Sequence, residues 1–152
     1  PFKSYTVKAI PEFFIEDFEQ YPTQEIIDKF KTNDLEFSLG RGNLISNRII
    51  SYNGSKAIKF SISEDIPASF RFSNVQPSYV TFNIGIQGQN TYCTVTFFSA
   101  IGAIQKKVYA QYWSTMEFRQ NNITHFTFEY SHGEGTYYRP SHIYLDNIKW
   151  QL

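Results

Sequence analysis

From about residue 43 the chain alternates apolar and polar side chains in runs mostly six to nine residues long, separated by clusters of Gly, Pro, Asn and Ser. Period two is the repeat of a pleated strand with one face buried, so the pattern points to antiparallel sheets stacked on each other. The runs are 43–50, 55–63, 68–73, 79–87, 91–99, 106–113, 116–119, 123–130 and 142–150. Turn chemistry falls between them at Asn53-Gly54, 64–67, Gln76-Pro77, Gly88-Gln89-Asn90, Ile101-Gly102, Asn121-Asn122 and Gly133-Glu134-Gly135. No βαβ alternation and no internal repeat interrupts the series, which predicts an all-β, two-sheet antiparallel sandwich of jelly-roll type. One stretch departs from it. Thr23 can cap a first turn, and Ile26, Ile27 and Phe30 share a face at helical spacing, which predicts a short N-terminal helix over 23–31.

Composition supports strands. Aromatic residues make up 18% of the chain, with 15 Phe and 11 Tyr against one Met, and flat rings pack well across a pleat. At 152 residues the chain has the length of a single domain (1–152) with a core that needs no disulfide. Fourteen basic side chains balance fourteen acidic ones, and no Lys/Arg run occurs. A nucleic-acid partner is therefore not expected. Membrane insertion is not expected either, because no apolar stretch approaches the roughly 20 residues of a membrane helix. The lone Cys93 lies inside an alternating run and reads as a small buried hydrophobe. Pro1 in place of an initiator Met suggests a processed or excised chain.

Alternation also sorts the faces. Val80, Phe82, Ile84 and Ile86 point one way and Asn83 the other; Cys93, Val95 and Phe97 oppose Thr94, Thr96 and Phe98. Phe70 and Phe72 oppose Arg71; Val108, Ala110 and Tyr112 oppose Tyr109, Gln111 and Trp113; Phe126, Phe128 and Tyr130 oppose His125, Thr127 and Glu129. If these strands are neighbours in one sheet, its outer face displays Arg71, Asn83, Thr94, Thr96, Tyr109, Gln111, Trp113, His125 and Glu129. Sugars ask for this mixture, because their C–H-rich faces stack on rings and their hydroxyls pair with amides, carboxylates and guanidinium groups. The same residues also suit a plain solvated sheet face, and Trp113, at a strand end, could instead tuck under a loop. A second candidate site is the glycine-hinged segment 133–140, where Tyr137, Tyr138 and Arg139 could bind a sugar or a protein from the loop end.

Catalysis is poorly served. The chain has no G-x-S-x-G elbow and no phosphate loop. Glycoside cleavage would need two facing carboxylates, for which Glu129 with Glu117 or Glu134 is the available choice. His132 and His142 lack metal-ligand spacing. Asn53-Gly54-Ser55 and Asn122-Ile123-Thr124 would be glycan acceptors only in a eukaryotic secretory pathway.

Three segments stand in order: Phe14-Ile15-Glu16-Asp17-Phe18-Glu19, Gly54-Ser55-Lys56-Ala57-Ile58-Lys59-Phe60 and Ile143-Tyr144-Leu145-Asp146-Asn147-Ile148. Together they resemble the jelly-roll carbohydrate-binding modules and the related MAM-type extracellular domains, although the cysteine framework of the latter is missing. The resemblance implies a structural cation, usually Ca²⁺, tying the first strand to the last through Asp17, Glu19 and Asp146, with the carbonyl of Lys56 or Ala57 completing the shell. Hard carboxylate and carbonyl oxygens suit that ion. Pairing of the carboxylates with Lys56 or Lys59 is the other reading. The expected function is a non-catalytic module of a secreted or cell-surface protein that binds glycan or polysaccharide through a sheet face. The alternative is a structural or adhesion domain contacting other domains of a larger surface protein through its loop ends.

Overall fold

The alternating runs become strands in the computed structural model, which describes residues 13–39, 47–52, 54–62, 67–87, 91–109, 111–132 and 141–152. In chain order the strands are β1 (Phe14–Glu16), β2 (Gln24–Ile26), β3 (Lys29–Lys31), β4 (Leu35–Ser38), β5 (Asn47–Tyr52), β6 (Ser55–Ile62) and β7 (Ala68–Phe72). Then follow β8 (Tyr79–Gln87), β9 (Thr91–Ser99), β10 (Gly102–Tyr109), β11 (Gln111–Arg119), β12 (Ile123–His132) and β13 (Ser141–Gln151). Among the described residues, sheet A has seven strands in the order β11-β8-β13-β6-β5-β2, with β1 added to β13; sheet B has six, in the order β10-β9-β12-β7-β4-β3. Every pairing is antiparallel.

The inward alternation closes one core between the sheets. Phe70 lies at its centre, with ring centroids 4.9 Å from Phe126, 5.5 Å from Phe37 and 5.8 Å from Phe82 across the sandwich. Phe60–Phe128, Phe97–Phe118 and Phe72–Trp150 join the sheets at 5.6, 4.8 and 5.4 Å. The open edge beside β10 is bridged by Lys106, whose ammonium lies 4.6 Å from the Phe118 ring centroid and donates to the Glu117 carbonyl at 2.9 Å. Cys93 is fully buried and burial pushes its thiol pKa up, as a packed hydrophobe requires.

Two expectations are corrected. The segment 23–31 is not a helix: it forms β2, paired with β5 in sheet A, and β3, paired with β4 in sheet B, and the chain crosses between sheets at Ile27-Asp28. Ile26 enters the core and Phe30 packs beside Phe37, but Ile27 is 81% exposed, so the apparent helical stripe serves two sheets. Strand pairing offered by β5 and β4 outweighs a weak local helical preference. The run 106–113 is likewise not one strand. It ends as β10 in sheet B and resumes as β11 in sheet A.

Candidate functional site

That crossover divides the predicted ligand-binding residues. Arg71, Tyr109, His125 and Glu129 belong to β7, β10 and β12 of sheet B, whereas Asn83, Gln111 and Trp113 belong to β8 and β11 of sheet A. Arg71, Tyr109, His125 and Glu129 lie on the outer face of sheet B and Asn83 and Trp113 on that of sheet A, while Gln111 stands in register with the buried Ile86, so the seven do not share one groove. Tyr137 and Tyr138 lie outside the described residues.

On sheet B the register aligns residues into rows across the strands. One row reads Lys31, Glu36, Arg71, His125, Phe98, Ala103. Within it, Arg71 donates from Nη2 to Glu36 Oε2 at 2.9 Å, and that bond holds the Glu36 carboxyl below its ordinary pKa. His125 and Phe98 stack with centroids 4.2 Å apart and planes 7° from parallel. The Thr124 hydroxyl donates to the Phe98 carbonyl at 3.2 Å and meets His125 Nδ1 at 2.9 Å. This contact holds the edge of the imidazole, and so orients its plane against Phe98. Burial first, and the Arg71 charge second, push the His125 pKa down, favouring the neutral ring.

The next row runs Lys29, Ser38, Ser69, Thr127, Thr96, Gln105, with four short hydroxyl side chains at its centre. Beyond it stand Glu129, Thr94 and Lys107, then Tyr92 and Tyr109 with ring centroids 5.6 Å apart. The four short side chains are therefore the floor of a trough between two rows of larger side chains. Thr96 is 4% exposed, and its hydroxyl has no hydrogen-bond partner. The four hydroxyl-bearing strands, at about 4.8 Å apart, make this floor about 14 Å long, and the long side chains of Lys29 and Gln105 stand at its two ends. A recess lined by Phe72, Asn74, Val75, Gln76 and Thr124 opens beside the His125 end.

Sequence reasoning placed Phe98 and Thr96 on an outer face but did not select Phe98, Glu36, Ser69 or Tyr92 for the site. The signal for Phe98 was present, as a large ring on the polar side of an alternating strand. Glu36 carried none, because β4 precedes the region where the alternation is legible. The carboxylate pair Glu129 and Glu117 is separated, one on each outer face of the sandwich, and cannot flank a common bond. Glu134 lies outside the described residues.

The first and last strands meet where the family resemblance requires. β1 pairs with β13 from Glu16↔Ile148 to Phe14↔Trp150. Asp146, 4% exposed, accepts from Ser55 Oγ at 2.7 Å and from the Asn147 amide at 2.7 Å. Glu19 accepts from the same Ser55 hydroxyl at 3.2 Å and from the Lys56 amide at 2.7 Å. One hydroxyl proton thus serves two carboxylates, and Asp17 adds to their field. Burial, and then the Glu19 and Asp17 charges, raise the Asp146 pKa against the lowering hydrogen bonds of Ser55 and Asn147. This oxygen-rich, proton-poor corner has the chemistry of a hard-cation site. Among the described residues, though, no three His, Cys, Asp or Glu side chains converge as a metal-binding group. Lys56 Nζ donates to the Glu19 and Tyr21 carbonyls at 3.3 and 2.5 Å.

No protein-family profile matches the chain, and no curated protein sequence matches it significantly. Solved structures do. An exo-β-agarase superposes with a TM-score of 0.54 at 13% identity over 89% of this chain and 24% of that one, so the chain spans 24% of that enzyme's length. A family 11 carbohydrate-binding module of the cellulosomal cellulase Lic26A-Cel5E of Clostridium thermocellum superposes at 0.46, with 15% identity over 85% of this chain and 94% of that one. A family 29 carbohydrate-binding module superposes at 0.44, with 11% identity over 85% and 91%. The agarase superposition establishes the shared β-sandwich fold.

Proposed function

We propose that the chain is a non-catalytic carbohydrate-binding module that lays a glycan chain across the outer face of sheet B. The observation that carries this reading is the trough of Ser and Thr hydroxyls bordered by the Phe98–His125 ring pair and the Arg71–Glu36 ion pair. Rings offer a face to sugar C–H groups, and the surrounding polar side chains supply both donors and acceptors. The buried Thr96 hydroxyl lacks a partner, which a sugar hydroxyl or a bridging water would supply. Tyr109 and Glu129 extend the same face, so four of the seven sheet-borne candidates belong to it.

The test is affinity electrophoresis and calorimetry against a panel of neutral polysaccharides, with wild type, Phe98→Ala and Arg71→Ala. Binding by wild type and its loss in both variants is the expected result. Absence of binding to every member, or binding indifferent to both substitutions, overturns it.

A structural cation, Ca²⁺ by its donor set, belongs to the same proposal. Glu19 and Asp146, which already share the Ser55 hydroxyl, would hold it, and Asp17, which does not converge with them as the chain stands, would turn in to complete the carboxylate set. A secreted or extracellular setting fits a polysaccharide ligand, with other domains of a larger protein as covalent neighbours. Among the described residues no helix is long and apolar enough to cross a membrane.

A further inference from the structure

The outer face of sheet A carries a different constellation. The register sets Glu25, Arg48, Lys59, Tyr144 and Gly85 in one row across β2, β5, β6, β13 and β8. On β11 the row ends in the bulge between Gln111 and Ser114 that contains Trp113. Gly85 has no side chain, so the Trp113 and Tyr144 rings approach across it, 6.5 Å apart and inclined at 64°. A glycine at this position of a central strand lets the two rings close over the backbone, and Gly85 is buried beneath them. Tyr144 is 4% exposed and donates its hydroxyl proton to Gln87 at 3.0 Å, so it is a fixed support, and the half-buried Trp113 is the accessible ring of the pair.

Beside the Trp113–Tyr144 pair the charge is positive. Lys59 Nζ lies 5.7 Å from the Tyr144 ring centroid, and Arg48 is its direct cross-strand neighbour on an exposed position. Neither forms an ion pair with a described residue; Glu25 stands beyond Arg48 at the edge of the row. His142, two residues before Tyr144, has its pKa lowered by burial and then by Lys59, as a cationic surface requires. Adjacent strands bring the Arg48 and Lys59 stems within about 5 Å, a spacing suited to one anionic group held by both.

We infer that this face is a second polysaccharide site, distinct from the sheet B trough and selective for acidic chains. A sugar ring stacks on the half-exposed Trp113 indole, which Tyr144 holds edge-on over Gly85, while a carboxylate or sulfate group on the chain is held by Lys59 and Arg48. Asn83, whose Oδ1 accepts from Thr115 at 3.0 Å, keeps its amide N–H groups for the adjoining hydroxyls. The two faces together would let one module hold two chains of different charge.

Affinity electrophoresis in gels containing polygalacturonate, fully methyl-esterified polygalacturonate or a sulfated galactan tests the inference. The wild type is retarded by one or both acidic polymers and not by the ester; which acidic polymer acts separates carboxylate from sulfate. Lys59→Gln, Arg48→Gln and Trp113→Ala each weaken retardation about tenfold or more, with thermal melting run alongside to confirm that each variant is folded. Phe98→Ala and His125→Ala, on the other sheet, leave it unchanged. The inference is overturned if no acidic polymer retards the wild type, if the ester binds as well, or if folded Lys59 and Arg48 variants bind like wild type. Loss in the sheet B variants alone would place the acidic ligand in the trough and overturn the inference while leaving the sheet B reading intact.

Discussion

Phe98 and His125 stack 4.2 Å apart on neighbouring strands of sheet B, with Nδ1 of His125 held by the Thr124 hydroxyl at 2.9 Å. The pair is a flat wall with a polar imidazole edge, next to a floor of hydroxyl side chains. Phe98→Ala removes the ring without opening the core, because this side chain points away from it. Glycan affinity is expected to fall by about 1 to 2 kcal/mol, roughly tenfold, while the melting temperature stays near wild type. Calorimetric titration alongside thermal melting checks both.

The core behaves oppositely. Phe70 touches Phe37, Phe82, Phe126 and Phe128 and is fully buried. Phe70→Ala is expected to cost about 3 to 5 kcal/mol, against a typical total of 5 to 15. Phe70→Leu should cost less and remain folded, so urea denaturation of the latter gives the measurable value.

Stability should depend on pH through two histidines. His125 and His142 have folded pKa values lowered from 6.5 by burial, so the unfolded chain binds protons more readily. Stability from the neutral rings is complete above the unfolded value and is lost as pH falls from about there through the lowered folded values. Glu16 and Asp146 act with the opposite sign: burial raises both, so their protonation in the folded state opposes that loss as pH falls. Urea midpoints between pH 8 and pH 5 are expected to decline, and His125→Gln with His142→Gln should flatten that decline. A midpoint that rises on acidification over this interval would contradict the burial of the neutral rings.

The cation corner makes a separate prediction. Ca²⁺ should raise the wild-type melting temperature and excess chelator should lower it, by the linkage of a ligand that binds only the folded chain. Asp146→Asn should abolish the calcium response. It should also make the chelated protein more stable at neutral pH, since it removes a buried charge repelled by Glu19 and Asp17. Identical melting curves with calcium and with chelator would reject the cation.

Much of the fold was legible in the chain. Tyr79–Gln87 and Thr91–Ser99 are strands with the bounds their alternation predicts, and Val80, Phe82, Ile84, Cys93, Val95 and Phe97 are buried as their period demands. Asp146, a carboxylate set in an apolar alternation, marked the corner where β13 meets β1. Short elements were less readable. Three-residue strands such as Gln24–Ile26 and Lys29–Lys31 contain too few positions to distinguish a period of two from one of 3.6.

What local sequence determines here is which side of a strand is wet, because alternation is a property of neighbouring residues. It does not determine which sheet a strand joins, because that depends on hydrogen bonds to residues far along the chain. Tyr109 and Trp113 show the difference. They keep the same phase of one apparent run, yet the crossover between β10 and β11 sends them to opposite outer faces. The single groove read from the sequence thus becomes two surfaces, the hydroxyl trough of sheet B and the aromatic, cationic row of sheet A.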